Sequence, residues 1–131
     1  MAESLANSAS LTSLHFRDLA LQREEALLIA AVFKDMRVQD NEQLRSVSFS
    51  YNDQLTDEGA VALVDSFPSS VTELGMVGCR LTDEAGVAIL NWLKRSPNIQ
   101  MVCIEGNDFS VELRLKMHSH QGEHPNRTLI F

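Results

Sequence analysis

The sequence predicts an α/β solenoid of about four strand-helix units, with short parallel strands on its concave side and helices on its convex side. Two features of the chain predict it. Val71, Leu74, Met76, Cys79 and Leu81 follow the spacing L-x-x-L-x-L-x-x-N/C-x-L, in which a short strand bends sharply into a helix. The unit starts again 27 residues earlier, as Leu44, Val47, Phe49, Asn52 and Leu55, and 28 residues later, as Ile99, Val102, Ile104, Asn107 and Phe109. The helical halves are copies too, because Leu55 to Leu63 reads LTDEGAVAL and Leu81 to Ile89 reads LTDEAGVAI.

The period near 28, the acidic helix start and the small Gly-Ala or Ala-Gly pair resemble the ribonuclease-inhibitor-like class of leucine-rich repeats, over nearly the whole chain. A chain of 131 residues is one domain on this reading, since each unit buries its face on its neighbours and four units suffice for stability.

In chain order, residues 1–10 read as an N-terminal cap or partial repeat, because Glu3 to Leu11 has the form of a helix end leading into a strand. Residues 11–43 are the first repeat, with Leu11, Leu14, Phe16, Leu19 and Leu21. Leu19 takes the inward place usually held by Asn or Cys, and the helix from Arg23 to Met36 outruns its siblings into a polar loop over 37–43. Residues 44–70 and 71–98 are the second and third repeats. Their helices start at Thr56-Asp57-Glu58 and Thr82-Asp83-Glu84, where a Thr or Asp side chain accepts an orphan N–H and acids suit the helix dipole; Pro68 and Pro97 stand where they stop. Residues 99–126 are the fourth, with Ser110 capping a helix over 111–119. Residues 127–131 restart the motif as a partial terminal strand. The ending Asn126 to Phe131, NRTLIF, is similar to the close of the tropomodulin leucine-rich domain, and it carries no actin-binding assignment.

Composition narrows the function. The chain is 44% hydrophobic, enough for a core, yet has no run near the ~20 apolar residues needed to span a bilayer. Eleven basic against eighteen acidic residues give a net charge of −7, which disfavours phosphate backbones and anionic lipid. No nucleic-acid or membrane partner is expected. The opening MAESLANS has neither a basic start nor a long apolar segment, so no secretory signal is recognisable and a cytoplasmic setting is expected. Cys79 falls inward and Cys103 on the opposite strand face, a placement that argues against a bridge.

Sites of chemistry are few. His118, His120, Glu123 and His124 are metal-type ligands within seven positions, but Gly122 and Pro125 mark a helix end and a solvated turn, so a metal protein or hydrolase is the alternative reading. Cys103 and His15 share the outer strand face with two strands between them, about 14 Å apart at ~4.8 Å per strand, too far for a nucleophile and its base. Ran GTPase-activating proteins are similar in repeat class, and Arg80 is the arginine placed best for such a role, though it matches no motif of theirs. No cofactor is assigned.

Strand alternation places Ser13, His15, Arg17, Arg45, Ser46, Ser48, Ser50, Tyr51, Glu73, Gly75, Val77, Gly78, Met101, Cys103 and Glu105 on the concave face. A partner-protein patch is expected at Tyr51, Val77, Met101 and Cys103, rimmed by Arg45, Glu73 and Glu105. The apolar Thr128 to Phe131 also offers an open strand edge for a homodimer. The function expected is therefore a non-catalytic protein-protein interaction module.

Overall fold

In the computed structural model, which describes residues 12–131, the recurrent spacing becomes strands and helices in strict alternation. The strands are β1 (Ser13–His15), β2 (Ser46–Ser48), β3 (Glu73–Gly75), β4 (Met101–Cys103) and β5 (Thr128–Ile130). Between them run α1 (Arg23–Val38), α2 (Thr56–Ser66), α3 (Asp83–Arg95) and α4 (Val111–Glu123). Each strand returns through a helix, so neighbours are parallel, and the sheet has the order β1-β2-β3-β4-β5. The N-terminal cap expected over 1–10 lies outside the described residues.

One row of the sheet aligns Leu14, Val47, Leu74, Val102 and Leu129. These central residues point towards the helices, and all but the half-buried Leu14 at the sheet's edge are buried. Behind them the first units are filled by rings: Phe16 stacks on Phe49 (5.5 Å), and Phe67 meets Phe33 and Trp92 edge-on (5.4 Å each). Helices approach closely through the small pairs. A side chain at Gly86 would put its Cβ 2.4 Å from Leu113 Cδ2, so this position has to be bare for α3 to meet α4.

The bend from strand to helix strands backbone groups inside the protein, and the following unit satisfies them. Asn52 Oδ1 accepts the N–H groups of Leu19 and Leu21, and its amide nitrogen donates to the carbonyls of Phe16 and Phe49. Asn107 does the same for Cys79 and Leu81 and for Met76 and Ile104. Cys79, at the equivalent place, makes a sulfur contact of 3.2 Å to the Phe49 carbonyl. The turn it faces is one residue longer and bonds to itself, Leu55 N–H to Asn52 O. Leu19 was expected inward and is instead 57% exposed, because this place reaches back to a preceding turn and β1 is the first described strand.

The acids at the helix starts are structural, but they act one unit further on than expected. Asp57 accepts the N–H groups of Thr82 and Ala85 and the Thr82 hydroxyl (2.6 Å) at the start of α3, and Thr82 does not cap its own helix. Asp83 likewise takes the Ser110 N–H and hydroxyl at the start of α4, while Ser110 Oγ caps that helix by accepting Leu113 N–H. The Ser110 hydroxyl, then its N–H, holds the Asp83 carboxyl below its ordinary value of 3.8.

Replacement of these junction residues should be felt in stability. Asn107→Ala orphans four buried backbone groups and should lower stability in urea unfolding by about 3 kcal/mol. The contribution of Asp83, present in full above pH 3.8, should disappear as pH falls through its depressed pKa, a loss that Asp83→Asn removes from the acid unfolding curve.

Candidate functional site: the open sheet face

The helices cover one face of the sheet and leave the other open. Register lays down two rows there, Ser13-Ser46-Glu73-Met101-Thr128 and His15-Ser48-Gly75-Cys103-Ile130. Met101 is 43% exposed and Cys103 half-buried, with Glu73 exposed beside Met101. Thr128 and Ile130 extend the face by one strand. The sequence-based expectation omitted them although the same alternation, counted from Leu129, places them; Ile130 is 42% exposed.

Val77 and Glu105, both half-buried, stand past the C-terminal ends of their strands. Tyr51 rises next to them. It sits in the left-handed region (φ 64°), gives its N–H to the Val77 carbonyl and is 51% exposed. Its ring lies along Gly78, also left-handed (φ 62°), where an added Cβ would be 3.1 Å from the Tyr51 Cδ1. On the other side the Arg17 guanidinium is 5.7 Å from the ring centroid, a cation–π contact. Ser50, expected on the surface, is buried because its hydroxyl turns in to accept the Val77 N–H.

Arg45 does not join this group. It precedes β2, donates to the Ser70 carbonyl at 3.3 Å, and with Glu73, Thr72 and Gln100 lines a groove of about 650 Å³ at the strands' N-terminal ends. Arg45 lies before β2 and Tyr51 past its end, so the strand separates them. The expected site thus divides into Arg45, Glu73 and Met101 at one end, Cys103 in the middle, and Tyr51, Val77 and Glu105 at the other.

The electrostatics oppose nucleophilic chemistry. Burial, then Glu105 and Glu73, pushes the Cys103 thiol up from its ordinary value, and β2 and β3 separate it from His15. Both cysteines are free. Arg80 is exposed on a left-handed turn (φ 57°).

The histidines also depart from expectation. α4 does not stop at Ser119; it runs on to Glu123, because His120 and Gln121 find partners beyond the helix that outweigh the low helix propensity of Gly122. Only His118 faces solvent, its ring 4.6 Å from that of Phe131. His120 points inward to Arg127, and His124 Nδ1 donates to the His120 carbonyl. The three imidazoles do not converge, and among the described residues no group of three or more His, Cys, Asp or Glu is placed to hold a metal.

The terminal edge is less open than expected. A side chain covers part of that edge: Gln121 Nε2 donates to the carbonyl of Arg127, just before β5, and its Oε1 accepts the Leu129 N–H, both at 2.6 Å. A second copy would have to displace that amide to add a strand there.

The fold is that of a leucine-rich repeat solenoid, with the strand-helix alternation of the ribonuclease-inhibitor-like class. The model of the Leucine Rich repeat family matches residues 40–64, the second unit. No curated protein matches the chain. Solved structures share the fold at low identity. The structure of leiomodin-1 actin-binding site 2 superposes with a TM-score of 0.81 at 12% identity, over 98% of this chain and 75% of that one. The tropomodulin C-terminal domain of Caenorhabditis elegans gives 0.75 at 12%, over 99% and 81%. The Mex67:Mtr2 subunits of Chaetomium give 0.63 at 16%, over 98% and 89%. Among the described residues no helix is long and apolar enough to cross a membrane.

A thiol reagent should separate the two cysteines. Cys103 is expected to react slowly in the native protein and faster as pH rises, whereas Cys79 should react only in urea, as read by absorbance with a disulfide reagent.

Proposed function

We propose that this protein is a non-catalytic interaction module that holds a partner protein on its open sheet face, in the cytoplasm. The observation that carries the reading is the exposure of Tyr51, Met101 and Ile130 around Val77 and Cys103, on a sheet face that, among the described residues, no helix covers. Large apolar and aromatic side chains whose backbone is already ordered make anchors at low entropic cost, and Glu73 and Glu105 supply a charged rim. Arg45 belongs to the rim only for a partner long enough to reach the groove at the strands' N-terminal ends. A reducing compartment suits the two free thiols.

The leiomodin-1 domain that shares this fold is an actin-binding site, so actin is the first defined protein to offer. The decisive comparison is between the native protein and Tyr51→Glu/Met101→Glu as baits, for actin and for lysate, read by sedimentation and mass spectrometry. Both side chains are exposed, so the variant should melt within a few degrees of the native protein and lose the partner. A partner retained equally by both baits would remove the face from consideration.

A further inference from the structure

We propose that the contact between His120 and Arg127 is an acid-sensitive latch, closed while the imidazole is neutral and released when it takes up a proton, freeing the last strand of the sheet. Arg127 is 8% exposed and, among the described residues, has no carboxylate at ion-pair distance. Its guanidinium is held instead by the end of α3, donating to the carbonyls of Leu93 and Ser96 at 2.9 Å each, where the helix dipole is negative. Its third partner is His120 Nε2, at 3.1 Å. A guanidinium has only donors, so that nitrogen has to be bare to accept.

A proton on Nε2 turns the hydrogen bond into two donors and two cations facing each other away from water, for His120 is only 4% exposed. The charged and titratable groups around it add little relief. Arg127 comes from the turn before β5, His124, the residue that follows α4, stacks on it at 4.2 Å, and Lys94 belongs to α3; all three oppose the cation, and only Glu123 of α4 favours it. Burial, followed by those three, holds the imidazole below its ordinary 6.5. The stability that His120 contributes is thus complete above pH 6.5 and is lost as pH falls through the depressed value.

The strand is what gives way. β5 is three residues long and pairs with β4 alone; its other edge is tied to Gln121, the neighbour of His120. A terminal element with so few bonds opens before the interior of the stack does.

Amide hydrogen exchange of the full chain, read by mass spectrometry at about pH 7.5 and about pH 5.5 and scaled for intrinsic exchange, tests this. Peptides from 120–131 should lose protection at the lower pH by about tenfold more than peptides from β2 and β3. His120→Gln should erase that difference and His118→Gln, at an exposed ring, should keep it. An equal change in all peptides, an unchanged acid response in His120→Gln, or its loss in His118→Gln would overturn the latch. If His120→Gln does not fold, the native protein still decides, because its terminal and central peptides are compared within one sample.

Discussion

The structure depends on how it satisfies the backbone at each strand-to-helix bend. The bend is buried, it cannot pair with a neighbouring bend as strands do, and two N–H groups would be left dry in it. Asn52 and Asn107 solve this with a side chain that accepts and donates together, each making three bonds into the preceding unit and one to the carbonyl three residues back in its own. Stacking in register is then a condition for the bend to exist at all. The second bend shows the limit of the rule: with Cys79 opposite, the chain adds a residue and bonds to itself.

Because every central strand residue is committed to the helix side, the other face of the sheet is left to the alternate residues. That face is uneven. Serines and bare glycine occupy the rows on β2 and β3, while Tyr51, Met101 and Ile130 stand out at separate points, Met101 on a strand paired on both sides, Ile130 on the terminal strand and Tyr51 in the turn after β2. The surface is rigid and its side chains are few, which favours a partner that brings its own shape complementarity over a small ligand.

Much of this was legible in the sequence. Period and alternation located all the described strands, the inward row, the prolines that end α2 and α3, and most of the open face. What escaped were interactions whose second partner lies in another unit. Leu19 occupies an asparagine place with no preceding described turn to serve, Ser50 follows a hydroxyl inward, and Arg45 leaves the face for the Ser70 carbonyl. The largest miss was α4, where Gly122 and Pro125 signalled a stop. The partners of His120 and Gln121 are six to eight residues further on, at Arg127 and in the strand that follows it, where a local pattern cannot connect them.

The acids that complete α3 and α4 have a further consequence. Asp57 and Asp83 belong to the units before the helices they finish, so neither helix start is whole until its predecessor is in place. In a linear array this shifts free energy from the individual repeat to the junction between repeats. Single units gain little by forming alone, while each completed junction favours the next. With Asn52 and Asn107 reaching back and Asp57 and Asp83 reaching forward, the units depend on each other in both senses, and such weighting makes a row of small parts unfold in one cooperative step.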